Sequence, residues 1–258
     1  MKSKEYKLMN QLEDTHWWYI GLRDFLNTFF SRYKNIMPQK PFILDVGCGT
    51  GANLKYMKSF FPKGNFSGFD VNSIALRNAV VKCPDADIYK SSIKNPELRH
   101  KNYDLITILD VLYTTGINNS LNGLKIILRN LKENGLIILH NPAYQWLYSE
   151  HDKAVHTLER YTHKDMIQLC DELDLKPILI SYRNFLLFPL LLLHRLPRYL
   201  LKRRKVIDPK SDVKSVNTII NKMFSLLIKF ENIGLKLGIM YPFGSSIFVI
   251  AKKNHKTC

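Results

Sequence analysis

A glycine-rich turn follows the first strongly apolar segment of the chain and carries its clearest chemical signal. Residues 44–51 read LDVGCGTG and lead into a segment with helical periodicity. Glycines allow a tight turn and let a ligand approach the backbone amides, and the N-terminus of the following helix favours negative charge. Asp70 lies 19 residues beyond Gly51, at the end of the next apolar segment, where a carboxylate can accept both hydroxyls of a ribose. This pairing predicts a binding site for an adenosine moiety.

Two classes of cofactor fit this turn. Gly47, Gly49 and Ala52 satisfy the G-x-G-x-x-[G/A] pattern of nicotinamide- and flavin-binding domains. The third glycine, Gly51, and the acid two residues before the first glycine, Asp45, favour a different assignment. These features resemble motif I of the class I S-adenosylmethionine-dependent methyltransferases. A nicotinamide-dependent oxidoreductase remains the alternative.

The resemblance implies roles for residues at the ends of successive apolar segments. The three glycines of the turn would contact the methionine moiety of the cofactor, Asp45 belongs to the same motif, and Asp70 would contact the ribose. The other implied positions are Val71 beside the adenine, Ser92 and Ile93 at its edge, and Asp110 near the sulfonium and the methionine ammonium. Many relatives have Glu-His after the fourth strand where residues 113–115 read YTT, so no role of that histidine is transferred.

An aromatic run near the N-terminus, His16-Trp17-Trp18-Tyr19, is followed by Arg23. It resembles the N-terminal lid of a bacterial subgroup of these enzymes, akin to the ubiquinone-type and glycan-associated methyltransferases. That resemblance implies that Trp18 covers the cofactor and excludes water, and that Arg23 faces a carboxylate. The alternative is structural, because large aromatic side chains also anchor a helix to a sheet. Both interpretations stay open at the level of sequence.

The polar loop 142–161, which follows the fifth apolar segment, contains the candidate catalytic residues. Methyl transfer is an in-line displacement from a cationic sulfur, so the enzyme must align the acceptor and exclude water, and a hydroxyl acceptor also needs a base. His151 is the first candidate base if a carboxylate orients its ring, with Tyr144 and Tyr161 as weaker candidates. His151 and His156 are five residues apart, a poor spacing for one helical face, so no metal site is predicted.

The elements that must position these residues alternate between strand and helix along the chain. Apolar strands are predicted over 41–47, 65–70, 86–90, 103–112, 136–141, 175–182 and 245–253, and helices over 52–61, 72–82, 119–133 and 162–173, after two helical stretches within 4–35. This alternation predicts an α/β, Rossmann-like sheet with helices on both faces. By resemblance it has seven strands, of which the last is antiparallel.

The composition predicts one domain. The chain has 258 residues with 46% hydrophobic and 23% charged content, which is enough for a single large core. We divide it into an N-terminal helical lid (1–38), a Rossmann-like core (39–182 and 243–258) and a basic, leucine-rich helical insertion (183–242). The four dispersed cysteines favour a reducing compartment. The charged N-terminus lacks a secretory signal, so the expected location is the cytoplasm.

The net charge of +16 is concentrated in the C-terminal third, where residues 181–258 hold 15 Lys and Arg against 3 Asp and Glu. The apolar run 185–193 is too short to span a bilayer, which takes about 20 residues. Basic residues alternate with leucines over 194–205, and Lys222, Lys229 and Lys236 recur on one helical face. We predict peripheral docking on an anionic membrane, at its cytoplasmic face. The alternative is a helical cap over the substrate pocket with solvated lysines.

These observations together predict the reaction. We expect methyl transfer from S-adenosylmethionine to an amphipathic or lipid-linked small molecule, such as a quinone precursor or a cell-envelope glycan, at a hydroxyl. An RNA or protein methyltransferase that uses the basic C-terminal third is the alternative. The basic residues of this region are interleaved with leucines instead of with stacking aromatics and glycines as in RNA-binding segments, which disfavours nucleic acid. A binding protein with a vestigial site is disfavoured by the intact turn and Asp70.

Overall fold

The computed structural model of the protein describes residues 3–200 and 216–254. A seven-stranded mixed sheet forms its centre. Its strands are β1 (Phe42–Val46), β2 (Asn65–Asp70), β3 (Asp87–Lys90), β4 (Tyr103–Leu109), β5 (Leu131–Pro142), β6 (Leu175–Arg183) and β7 (Ser246–Lys253). Their order is β3-β2-β1-β4-β5-β7-β6. β1 to β5 pair in parallel, and β7 runs antiparallel to both of its neighbours. The predicted fold class, including the antiparallel last strand, is confirmed.

Helices lie on both faces of this sheet. They are α1 (Ser3–Leu12), α2 (Trp17–Tyr33), α3 (Ala52–Phe60), α4 (Ser73–Lys82), α5 (Leu112–Thr115), α6 (Ile117–Arg129), α7 (Glu150–Ala154), α8 (His163–Glu172), α9 (Phe188–Leu200) and α10 (Thr218–Lys236). The Asn72 side chain accepts hydrogen bonds from the amides of Ile74 and Ala75, and so caps α4. Thr162 and Asp165 form the predicted capping box of α8.

Two apolar clusters hold these layers together. Neighbouring strand residues point to opposite faces, so Ile43 belongs to one cluster and Leu44 to the other. The cluster with Ile43 contains Phe25 and Phe30 of α2, and the other contains side chains of α6 and α8. Burial on both faces explains why the parallel strands read as continuous apolar runs.

Two predicted boundaries were wrong, each for a local reason. The helix predicted over 119–133 ends at Arg129, because Leu131 is buried and pairs with Tyr103 as the first residue of β5. The strand predicted over 103–112 ends at Leu109. Asp110 adopts a φ of 56°, a left-handed conformation that a strand cannot continue.

The insertion predicted over 183–242 contains two helices, α9 and α10, in its described parts. The basic stretch 202–205 lies outside the described residues. Within the described chain, no helix has both the length and the apolar character needed to cross a membrane. α10 packs along α2, where a Cβ added to Gly21 would lie 2.6 Å from Cγ2 of Ile228. This close packing ties the insertion to the N-terminal helices.

Candidate active site

The glycine turn takes a backbone conformation that favours glycine at three positions. Gly47, Gly49 and Gly51 have φ values of 71°, 54° and 84°. The amides of Gly47 and Cys48 both donate to the carbonyl of Phe69, at 2.8 and 3.0 Å. A Cβ at Gly47 would lie 2.4 Å from the side chain of Val111, and one at Gly51 would lie 2.8 Å from the backbone of Ala79. A side chain at position 47 would therefore collide with Val111, which follows β4, and one at position 51 would collide with α4.

Asp70 is held at the end of β2 directly beside this turn. One carboxylate oxygen accepts from the amide of Gly49 at 3.1 Å, and the other accepts from the amide of Asn72 at 2.8 Å. Burial raises the pKa of Asp70, and these backbone donors act in the opposite direction. The structure thus brings the glycine turn and its predicted acidic partner together at the carboxyl ends of neighbouring parallel strands, where ligands of such sheets bind.

The positions implied for the adenine differ in exposure. Val71 is exposed next to Asp70, and Ser92 is half-buried in a bridge with Asn95. Ile93 is buried in the core, and its carbonyl lies so close to α6 that a Cβ on Gly123 would overlap it. Val71 and Ser92 present surface at this edge, whereas Ile93 supports it from the core side.

Asp45 lies inside β1 and is almost fully buried. Its carboxyl accepts a hydrogen bond from the Thr107 hydroxyl of β4 at 2.6 Å. Burial raises the pKa of Asp45 to about 7, although the Thr107 hydrogen bond acts to lower it. The contacts of this acid tie β1 to β4 beneath the glycine turn.

The helix α1 covers the turn, an arrangement that the sequence analysis missed. The Tyr6 hydroxyl donates to Asp70 at 3.5 Å, and Met9 is the side chain nearest to Gly49. Glu13, which is buried just beyond the helix, accepts from the Thr50 hydroxyl and forms an ion pair with Lys82 of α4. No local sequence pattern announces these contacts, because each joins residues that are tens of positions apart.

The aromatic run lies at the start of α2, with His16 as the residue before the helix. The ring nitrogen Nδ1 of His16 accepts from the amide of Trp18 at 3.3 Å, and burial lowers the pKa of His16. Trp17 packs edge-on against Phe224 of α10, with ring centroids 5.4 Å apart. Trp18 points the other way, towards His140 of β5, at a centroid distance of 6.4 Å. The two tryptophans therefore have different environments: Trp17 lies at the contact between α2 and α10, and Trp18 lies near the carboxyl end of β5.

Arg23 lies on α2 close to the glycine turn. Its Nη2 donates to the carbonyl of Glu13, the residue that also contacts Thr50. Its Nη1 is buried and has no hydrogen-bond partner among the described residues. Burial lowers the pKa of Arg23, and nearby Asp14 and Glu13 act against that shift. A buried guanidinium nitrogen without a partner is a candidate for binding an anionic group.

Asp110 belongs to a buried hydrogen-bonded chain that the sequence analysis did not find. Its carboxylate lies 2.9 Å from Nδ1 of His140, and Nε2 of His140 lies 3.0 Å from Nη1 of Arg183 at the end of β6. Arg183 also donates to the carbonyl of Gly21 at 2.9 Å. Burial lowers the pKa of Arg183 to about 10. The only available sequence signal is a histidine that ends the apolar run 136–140 and an arginine at the end of β6.

Tyr144 and Tyr161 are both tied into the loop after β5. The Tyr161 hydroxyl is buried and lies 3.0 Å from the carbonyl of Leu112 and 3.1 Å from Glu159. Tyr144 has a φ of 58° and stacks on Tyr182 at 5.0 Å. Burial raises the pKa of both phenols, and hydrogen bonding adds to this effect at each.

His151 is half-buried on the short helix α7, beside Asp152. One oxygen of Asp152 accepts from Arg160 at 2.8 Å, and the other accepts from the amide of Ser149 at 2.8 Å. Burial is the largest influence on the pKa of Asp152 and acts to raise it, but the charge and hydrogen bond of Arg160, the Ser149 amide and the charge of Arg195 together outweigh burial, so the pKa is lowered. In the described part of the chain, no three His, Cys, Asp or Glu side chains could hold a metal ion together.

Comparisons with known proteins agree on one family. A family model described as a methyltransferase domain matches residues 17–181, which is more than half of the chain. The comparison with curated protein sequences gave no match.

Solved structures share the fold at low sequence identity. The plantazolicin methyltransferase BpumL, in complex with a triazolic desmethylPZN analog and SAH, is 17% identical with a TM-score of 0.59, over 98% of this chain and 92% of that one. A TehB-like SAM-dependent methyltransferase from Corynebacterium glutamicum is 13% identical with a TM-score of 0.53, over 88% of both chains. An S-adenosylmethionine-dependent methyltransferase from Clostridium acetobutylicum is 14% identical with a TM-score of 0.55, over 91% of both chains.

Proposed function

The chain belongs to the methyltransferase-domain family, and from this premise we propose that it transfers a methyl group from S-adenosylmethionine to a hydroxyl of an amphipathic or lipid-linked small molecule. The observation that carries the cofactor assignment is the 3.1 Å hydrogen bond between the Gly49 amide and the Asp70 carboxylate. This hydrogen bond fixes an acid that would bind the ribose against a turn that favours glycine, at the carboxyl end of the sheet.

The residues present fit S-adenosylmethionine. Val111 and Ala79 leave no room for side chains at Gly47 and Gly51, so only glycine keeps this shape of the turn beside Asp70. Asp70 would hold the ribose hydroxyls, Arg23 the methionine carboxylate through its unpartnered Nη1, and Asp110 the methionine ammonium. When bound, the cofactor supplies a methyl group on a cationic sulfur.

The hydrogen-bonded residues behind Asp110, His140 and Arg183, suit a role of Asp110 in binding a positively charged group. Arg183 is protonated at neutral pH, so its Nη1 donates to Nε2 of His140 and fixes the ring proton on Nδ1. That proton then points at Asp110. His140 thereby orients the Asp110 carboxylate as a hydrogen-bond donor, and the carboxylate would face a cationic ligand.

An aromatic wall beside the loop after β5 supports an amphipathic acceptor. Tyr144 stacks on Trp146, Trp146 packs against Phe188, and Phe188 packs against Phe243. The distances between their ring centroids are 5.5, 6.1 and 5.4 Å. Trp146 and Phe243 are exposed, so the wall offers apolar surface to a ligand. His151 follows the same loop and is the proposed base for a hydroxyl.

Calorimetry with the purified chain tests the cofactor assignment. We expect S-adenosylmethionine and S-adenosylhomocysteine to bind and NADH to give no measurable heat. Tighter binding of NADH than of either sulfur nucleoside would contradict the proposal.

Methyl-labelled S-adenosylmethionine, incubated with the protein and a total cell extract, tests the acceptor class separately. We expect label in the organic-solvent phase, in a bond stable to base as an ether is. Label confined to RNA or to protein would refute the acceptor class while leaving the methyltransferase activity in place.

A further inference from the structure

The outward face of α10 carries an apolar stripe that nothing in the described structure covers. Its side chains recur every three or four residues, so they share one side of the helix. They are between 45% and 78% exposed: Ile219, Met223, Leu226, Phe230, Ile233 and Leu237. Ile239 and Met240 are also exposed and follow shortly after the helix.

The opposite face of α10 already supplies its packing. Ile228 and Leu235 are buried, and Asn221 bonds to the backbone of Thr15 and Trp17, at 2.8 and 2.9 Å. Glu231 accepts from the amide of Asn184 in the turn before α9. The stripe is therefore additional to what holds the helix in place, and a large exposed apolar surface of this kind marks an interaction site.

The charges around the stripe are of one sign. Lys222, Lys229 and Lys236 are exposed and lie seven residues apart, along one side of the stripe. The only acidic residue of α10 is Glu231, which is buried against the turn before α9. The outward face thus offers apolar side chains and positive charge without a compensating carboxylate from its own helix.

We propose that this face docks the protein on an anionic lipid bilayer, with α10 lying in the plane of the interface. In membrane-surface helices with this pattern, the apolar side chains enter the boundary between headgroups and acyl chains, and the lysines beside them pair with anionic headgroups. The inference concerns a surface separate from the cofactor site, so it does not rest on the proposed function.

Other partners fit the same face less well. Two copies paired through their stripes would leave the lysines without ion pairs, because α10 has no acid on its outward face to meet them as in a coiled coil. Nucleic acid would meet the lysines but leave the apolar side chains in water. A bilayer satisfies both features at once.

The position of α10 would give docking a consequence for access. Asn221 and Trp17 join α10 to the start of α2, whose Trp18 points at the sheet edge near Asp110. The helices α10 and α2 would therefore lie between a membrane bound to the outer face of α10 and the candidate active site.

Vesicle flotation with the full chain tests the proposal. Wild-type protein should float with phosphatidylglycerol vesicles at low salt, and bind pure phosphatidylcholine at least tenfold less. The double variant Leu226→Glu/Phe230→Glu should bind at least tenfold less. The triple variant Lys222→Gln/Lys229→Gln/Lys236→Gln should bind less and lose much of its salt sensitivity.

Matched controls separate a surface effect from a loss of folding. Val81→Glu replaces an exposed apolar side chain on α4, and Lys63→Gln/Lys125→Gln/Lys164→Gln removes equal charge elsewhere. Both should bind vesicles like wild type. All variants should keep wild-type melting temperatures and affinity for S-adenosylhomocysteine, so a failed cofactor assignment would be seen separately.

Several outcomes would overturn the inference. These are wild-type protein that stays with the soluble fraction at low salt, stripe variants that float as well as wild type, and a dimer in light scattering that the stripe variants abolish without any lipid binding. Preferential binding of RNA through the three lysines would also overturn it.

Discussion

The backbone holds the Asp70 carboxylate at the position where the ribose of the proposed cofactor would bind. The two carboxylate oxygens accept from the amides of Gly49 and Asn72, and the same carboxylate would meet the ribose. A hydrogen bond to a charged group contributes about 1.5–3 kcal/mol. We therefore expect Asp70→Ala to weaken binding of S-adenosylhomocysteine by roughly 10- to 150-fold in calorimetry, and Asp70→Asn to weaken it less, because an amide oxygen can still accept.

The control for this prediction is Asp85→Asn, which alters an exposed carboxyl on the loop before β3. It should leave the affinity unchanged, and circular dichroism of all three variants should match wild type. Unaltered affinity of the correctly folded Asp70→Ala protein would remove Asp70 from the site.

His151 carries the prediction about proton transfer. A general base contributes about 10²–10⁴-fold to turnover, so His151→Ala should lower kcat by roughly 100-fold or more while the affinity for S-adenosylhomocysteine stays the same. Turnover is measured as label transferred to the organic-solvent phase. His156→Ala changes an exposed histidine just after the same helix and should keep full turnover. Lost cofactor affinity with unaltered turnover would make His151 a structural residue.

Residue types dictated by the backbone could be predicted from the sequence, and those dictated by distant contacts could not. The left-handed φ values of the turn select glycine, so the turn shows in the sequence. His140 and Arg183 lie on strands with β7 between them, and only the sheet order brings them together. A lone histidine in an apolar run gives no sign of such a partner.

At the scale of elements, α1 depends on its docking site. A ten-residue helix is too short to be stable alone in water. Its contacts with the core include Tyr6 on Asp70, Lys82 on Asn10 at 2.6 Å, and the buried Glu13 just beyond its end. The position of α1 over the glycine turn is therefore set by tertiary contacts, which explains why sequence periodicity located the helix but not what it covers.

The Glu13–Lys82 ion pair should couple α1 to α4. Glu13 is buried, and removal of either partner leaves the other charge poorly solvated. We expect Glu13→Ala and Lys82→Ala each to lower the protection of amides 3–12 in hydrogen exchange. In urea unfolding, a double-mutant cycle should give a coupling of about 1–3 kcal/mol. The exposed pair Lys58–Asp85 is the matched control, with an expected coupling below about 1 kcal/mol. Equal coupling energies in the two pairs would contradict the role of the Glu13–Lys82 ion pair in holding α1 against α4.

Element boundaries depend on which local preference is outweighed by tertiary structure. Residues 130–133 continue the helical periodicity of α6, yet Leu131 is buried in the sheet and pairs with Tyr103. Burial of an apolar side chain is worth about 1.5–3 kcal/mol, which exceeds the propensity difference of a few residues at a helix end. The early start of β5 follows from this balance.

At the scale of the whole molecule, the alternation of strands and helices predicted the sheet, and the charge distribution predicts how stability responds to pH. The net charge of +16 falls as pH rises towards the isoelectric point of about 9.6, which reduces self-repulsion and favours the folded state. Buried titratable groups add to this background. Asp45, Asp70 and Glu231 have raised pKa values because of burial, whereas burial lowers the pKa of His16.

Asp45 has the clearest expected effect, and its sign is opposite to that of the net charge. Its pKa rises from 3.8 to about 7 on folding, because burial disfavours the charged form. Between these pH values the folded protein binds the proton that the unfolded chain has lost, so the contribution of Asp45 to stability is highest below about pH 4 and declines as pH rises through 7. The contribution lost between pH 5 and pH 8 is about 2–3 kcal/mol.

Asp45→Asn isolates this effect, because an amide resembles the protonated carboxyl in shape and can still accept from the Thr107 hydroxyl. Urea unfolding at pH 5 and pH 8 should show that wild type loses about 2–3 kcal/mol more stability than the variant over this range. The background from net charge and the other buried groups is common to both proteins and cancels in the difference. The exposed control Asp85→Asn should follow the wild-type profile. Superimposable pH profiles of wild type and Asp45→Asn would show that Asp45 does not carry a raised pKa.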